Sequence, residues 1–125
     1  MKHTFGSIPV ALAASLSLCS FGAHAQTDPA KDYPNKPIRL IVGVAAGGAN
    51  DTTARAIAQK LSEKWGRQVV VDNRVGATGT ITIDLTAKAP PDGYTLCIVT
   101  AAQTVVSAIN PKLPYDLVKD LAGVS

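Results

Sequence analysis

The chain has 125 residues, 46% hydrophobic and 17% charged, with a formal charge of +3. That length leaves room for a small core, and so slight a charge points to neither nucleic acid nor an anionic membrane surface. Two histidines and two cysteines are present, and only Cys97 lies beyond residue 25, so residues 26–125 lack the means for a His-based triad, a Cys–His pair, a usual zinc site or an internal disulfide.

Met1-Lys2-His3 is a short basic start, and Ile8 to Leu18 is an apolar stretch too short to span a bilayer comfortably. Ala23-His24-Ala25 is a small-x-small cleavage site. Residues 1–25 are therefore expected to be a secretory signal peptide, cut after Ala25, that delivers a soluble product. Leu18 before Cys19 is too bulky for lipoprotein processing. Removing Lys2 leaves eleven basic residues against nine acidic, a charge of +2.

Residues 26–36 form a polar lead-in with Pro29 and Pro34. Pro37 opens a β-branched, apolar run, Ile38 to Val42, that reads as a buried strand. Small residues follow, with Gly47-Gly48 at their centre. Ala54, Ile57, Ala58, Leu61 and Trp65 then share one face at helical spacing. Asn50 or Asp51 is the expected cap, and Gly66 the terminator. Strand, glycine turn and helix open a βαβ unit. Ligands in such sheets sit beyond the carboxyl ends of the strands, where a helix N-terminus favours an anion. The pattern is weak alone: it is neither G-x-x-x-x-G-K-[ST] nor G-x-G-x-x-G. A tight turn with no ligand is the plain alternative.

Val69-Val70-Val71 is a second short strand, followed by the small-residue loop Val75 to Thr80. A helix is expected from about Thr80, with Ile81, Leu85 and Lys88 on successive turns. Ala89-Pro90-Pro91-Asp92-Gly93 breaks it. Tyr94 to Thr100 reads as a third strand, apolar enough to be central. A short helix to Ala108, a loop at Leu113–Asp116, a turn at Leu117–Asp120 and the approach to another strand at Leu121–Ser125 complete the chain.

Each strand thus ends in a loop of Gly, Ala, Thr or Asn. Right-handed crossovers put all three loops at one sheet edge. They outline a small-molecule cleft of backbone N–H groups and hydroxyls, without titrating catalysts. Asp51 reads as a cap in preference to a ligand contact, because its charge would repel an acid. Arg74 is expected to pair with Asp72, Trp65 to pack in the core or a hinge, Cys97 to be an inert buried thiol, and Lys88 to be a cation at a helix C-terminus.

Five motifs, in this order, resemble one family. They are Tyr33-Pro34-Asn35-Lys36-Pro37-Ile38-Arg39-Leu40-Ile41-Val42, Gly47-Gly48 with Asp51 and Ala54-Arg55, the Val69–Gly79 stretch, Lys88 to Leu96, and Leu113-Pro114-Tyr115-Asp116. Together they resemble the substrate-binding proteins of tripartite tricarboxylate transporters, the Bug-type receptors, over nearly all of residues 33–125. The resemblance implies an α/β fold: the first lobe, incomplete over residues 37–125, of a two-lobed periplasmic binding protein of the class II type. It implies a periplasmic receptor, not an enzyme, that needs no cofactor. Its ligand is a small organic carboxylate, and its partners are the membrane components of the transporter. Carried onto this chain, the contacts are Val44, Ala45, Ala46, Gly47, Gly48 and Ala49 in the first loop. Gly76, Ala77, Thr78, Gly79 and Thr80 follow in the second, and Thr100, Ala101 and Gln103 in the third.

The chain departs from the family in two places. Gly43-Val44-Ala45-Ala46 replaces a loop that commonly carries proline and phenylalanine, and Val75 stands where proline is usual. A two-lobed receptor needs on the order of 250–350 residues, so the sequence is expected to be an N-terminal fragment. Two other readings remain open: a truncated exported product without binding function, and an anion- or nucleotide-binding enzyme domain. The missing P-loop lysine and the lack of histidine weigh against the second.

Overall fold

The computed structural model describes residues 31–124. The expected signal peptide and its cleavage site lie outside the described residues. Three strands and three helices alternate: β1 (Ile38–Val42), α1 (Ala49–Trp65), β2 (Val69–Asn73), α2 (Thr80–Ala87), β3 (Thr95–Cys97) and α3 (Ala101–Ile109). A single 3₁₀ turn, Ala77–Gly79, precedes α2. The strands are parallel in the order β2-β1-β3. Every loop after a strand therefore leaves from the same edge of the sheet, as the βαβ reading requires.

β1 is the central strand, paired with β2 on one side and β3 on the other, and four of its five side chains are buried and apolar. Ile38, Leu40 and Val42 point one way and pack with Ala54 and Ala58 of α1 and with Val69. The small alanines let the helix approach the sheet closely. Ile41 faces the other side by the two-residue alternation of a strand. It is fully buried, as is Ile83 of α2, a helix that packs on β1 and β3. Arg39, on the same side as Ile41, pairs with Asp72 across the strands, its Nε donating to Oδ2 at 2.7 Å.

The tail of α1 is tied to the sheet by Ser62, whose hydroxyl donates to the Ala58 carbonyl at 2.7 Å and accepts from the Val69 amide at 2.8 Å. Gly66 ends α1 as expected, its N–H reaching the Ser62 carbonyl at 3.0 Å. Trp65 packs against the core and meets Tyr33 edge-on, ring centres 6.3 Å apart. Tyr33 donates to the Gly93 carbonyl at 2.7 Å, which fastens the segment before β1 to the turn before β3.

Three local expectations change. The cap of α1 is Gly48, two residues before Asn50 and three before Asp51. β3 is three residues long, against the seven of Tyr94 to Thr100, and it pairs only with β1 among the described strands, so it is not central. Ile98 adds one further bond, its amide to the Ile41 carbonyl at 3.2 Å, before the chain turns into α3. Residues 121–124 carry no strand. Cross-strand pairing, which apolar content alone does not specify, decides both points about β3.

Candidate functional site

An open cleft of about 630 Å³ lies at the carboxyl edge of the sheet. Its walls are Val42, Gly43 and Val44 after β1, Thr78 after β2, and Ile98 to Gln103 after β3, with Asn50 from the first turn of α1. Among the described residues, no charged side chain lines it. Of the sequence-derived contacts, Val44, Thr78, Thr100, Ala101 and Gln103 line the cleft. Ala45, Ala46, Gly47, Gly48, Ala49, Gly76, Ala77, Gly79 and Thr80 do not. Ala102, inside the Thr100–Gln103 loop, lines the cleft too, as do Val42, Gly43, Asn50, Ile98 and Val99, which the sequence reading did not name. Val42, Gly43 and Ile98 are the last residue of a strand or the one beside it, and the rule that ligands sit beyond strand ends reaches them once the ends are known.

The first loop is held by a polar network around Asp51, which is 2% exposed. Its Oδ2 accepts from the Gly47 amide at 2.8 Å and from Arg55 Nε at 2.9 Å. Its Oδ1 accepts from Asn73 Nδ2 at 2.8 Å. Asn73 Nδ2 also donates to the Val44 carbonyl at 3.0 Å, and Asn73 Oδ1 accepts from Arg55 at 3.2 Å. Asp51 thus braces the glycine turn from the third position of the helix, without capping it in the strict sense. The Arg55 guanidinium, with the Gly47 amide and Asn73 amide behind it, lowers the Asp51 carboxyl to about 2. Its partners Gly47, Arg55 and Asn73 all belong to the fold, and the carboxylate is almost fully buried among them.

The second loop is a left-handed turn. Ala77 and Thr78 have φ of 46° and 56°, and Gly79 follows at 84°. Left-handed backbone is costly for a β-branched residue, which places Thr78 among genuine outliers. It is also the one residue of this loop that faces the cleft. The Gly79 amide closes the turn on the Gly76 carbonyl at 2.9 Å.

The third loop feeds α3. The Thr100 amide donates to Gln103 Oε1 at 2.6 Å, the side-chain arm of a capping box. The amides of Ala101 and Ala102 stand in the first turn, where a helix has no acceptor of its own. α3 has no acidic residue in its first turn, whereas α1 has Asp51. The positive end of the α1 dipole is therefore answered within the fold, and that of α3 is open to the cleft.

Arg74 pairs with Asp72, Nε to Oδ1 at 3.0 Å, and Arg39 and Arg74 together hold that carboxyl below its ordinary range, Arg39 contributing most. Arg74 does not line the cleft. Cys97 is half-buried, not fully buried as expected, and that burial pushes its thiol up, which disfavours the thiolate. Among the described residues, no group of three His, Cys, Asp or Glu side chains is placed to hold a metal ion.

Comparison with known proteins points to one family. The profile described as "Tripartite tricarboxylate transporter family receptor" matches residues 53–125. A UPF0065 protein of Bordetella bronchiseptica is 42% identical over 126 residues, covering all of this chain and 35% of its own length. The chain therefore spans about a third of that curated relative. Among solved structures, MatC of Rhodopseudomonas palustris with bound malate is similar at a TM-score of 0.66 and 34% identity. A second R. palustris protein, solved with adipate, is similar at 0.62 and 37%. Both similarities cover 70% of this chain, with 30% of the malate-bound protein and 29% of the adipate-bound one. The parallel α/β fold, the motifs and the profile match agree: this chain belongs to the receptor family of the tripartite tricarboxylate transporters.

Proposed function

We propose that this chain supplies one wall of a periplasmic receptor that captures a small organic carboxylate for a transporter of the tripartite type. One observation carries the reading. The first turn of α3 offers the amides of Ala101 and Ala102 to a cleft with no charged lining, and no acidic residue of that turn competes for them. A carboxylate oxygen is the group this turn would accept, with Thr78 and Asn50 beside it to hydrogen-bond the rest of a short acid. The neighbours solved with malate and with adipate support that chemical class. The remaining sequence-derived contacts, Gly47 and Gly76 among them, would act through loop shape. The membrane subunits of the transporter are the partners that family membership suggests, and the chemistry is capture, not catalysis.

One wall holds ligand weakly. A helix end contributes ~0.3–1 kcal/mol toward an anion in solvent, while immobilising a ligand costs several kcal/mol. Titration of the isotope-labelled 125-residue chain with malate and with adipate tests the reading. Millimolar affinity is expected, with amide shifts confined to Asn50, Thr78, Ala101 and Ala102. Shifts centred on Arg39 and Arg74 would place the acid elsewhere. Micromolar affinity would show that these loops alone make a sufficient site.

A further inference from the structure

Gln103 is a polar side chain left only 3% exposed at the floor of the cleft. Both ends of its amide are engaged. Oε1 accepts from the Thr100 amide after β3, and Nε2 donates to the Gly79 carbonyl after β2 at 3.2 Å. Nε2 also lies where side chains on two glycines would be. A Cβ on Gly79 would come within 2.1 Å of it, and one on Gly43, after β1, within 2.9 Å. The same Cβ on Gly43 would stand 3.1 Å from the Gly79 Cα. One amide is thus in touch with all three loops that follow the strands, and two of them are stripped to backbone around it.

We propose that Gln103 is the positioning residue of the cleft: its amide sets the spacing of the three loops, and it acts on ligand through them without touching it. This revises the expectation that Gln103 is itself a contact, and it rests on the reading of the cleft as the ligand site. A glutamine suits the task because it presents one acceptor and one donor in a fixed plane. The acceptor answers an amide, the donor a carbonyl. Both partners are backbone, so the spacing is independent of neighbouring side chains. Gly43 and Gly79 lie against Nε2, and neither is ionisable.

The two arms can be cut separately in the full 125-residue chain. Gln103→Glu keeps the acceptor for Thr100 but turns a carboxylate oxygen toward the Gly79 carbonyl. Gln103→Met keeps the length and loses both arms. Amide hydrogen exchange, expressed as protection factors, reads the loops directly. Gln103→Glu at neutral pH is expected to lower protection at Gly79 about ten-fold while leaving Thr100 unchanged; Gln103→Met lowers both. Acidification is expected to restore Gly79 protection in Gln103→Glu alone, because a protonated carboxyl again donates to the carbonyl, and burial raises the pH at which it does so. A purely volume-filling role would show no such recovery. Unchanged protection at Gly79 in both variants, or recovery in Gln103→Met as well, would overturn the proposal. Malate titration of the same proteins reads the other claim. Wild-type chain that binds no malate while Gly79 still responds as described would remove the ligand reading and leave the spacing role standing.

Discussion

Asn73, the last residue of β2, donates through Nδ2 to Asp51 Oδ1 at 2.8 Å and to the Val44 carbonyl at 3.0 Å, so the end of one strand fixes the loop that leaves its neighbour. The bond matters because Asp51 is almost fully buried and depends on it, on Gly47 and on Arg55 for its charge.

Asp51 makes stability pH-dependent in a defined window. Its folded pKa is about 2 against an ordinary 3.8, so its contribution is present above 3.8 and fades as pH falls toward 2. Asp72, Asp92 and Asp116 are lowered as well, so acid unfolding of the whole chain is shared. Comparison with Asp51→Asn isolates one residue. The wild-type advantage in urea midpoint is expected to be constant above about pH 5 and to shrink steadily below 3.8. A difference that does not vary with pH would mean that the carboxylate charge is not what braces the loop.

Two glycines with nearly the same φ should respond differently to alanine. Gly79 has φ of 84° and a Cβ there would strike Gln103; Gly47 has φ of 86° and open space around it. Gly47→Ala is expected to cost ~1 kcal/mol, the price of left-handed backbone alone. Gly79→Ala adds overpacking and is expected to cost ~2–4 kcal/mol. Equilibrium urea unfolding of both variants decides. Equal costs would show that Gln103 swings away without penalty. Gly47 lies outside the cleft wall, so a bulkier Gly47→Val is expected to act on loop shape and stability, not by crowding ligand directly.

Thr78 holds a left-handed conformation in view of the cleft. Thr78→Gly relieves that conformation and is expected to raise stability by up to ~1 kcal/mol while weakening malate binding, since the hydroxyl goes with it. Thermal unfolding and the malate titration are read on the same sample. A variant that is less stable than wild type would show that the Thr78 side chain contributes more than its backbone costs.

Export is checked by mass. Expression of the whole chain in a Gram-negative host, followed by mass spectrometry of the periplasmic fraction, is expected to find a mature start at Gln26. A start at Cys19 bearing lipid would reveal a lipoprotein instead.

The run of apolar residues was enough to place β1, and the glycine turns and the Ala89-Pro90-Pro91 break to bound α1 and α2, but the period did not give the buried faces: Ile57 of the expected α1 face is exposed, and α2 buries Thr82 and Ile83 while Ile81 and Leu85 face outward. The sequence also placed the three small-residue loops and the pairing of Arg74 with Asp72. Neither the short β3 nor its place beside β1 was legible, since strand length depends on which partner is in register. The tertiary structure alone decided the roles of Asp51 and Gln103. In sequence they are a helix-start carboxylate and a polar residue in a loop. In the fold, burial leaves each dependent on internal partners up to 24 residues away, Gly79 for Gln103 and Asn73 for Asp51. A side chain withdrawn from water must satisfy its polar atoms with whatever the fold brings near, and no local pattern encodes that choice.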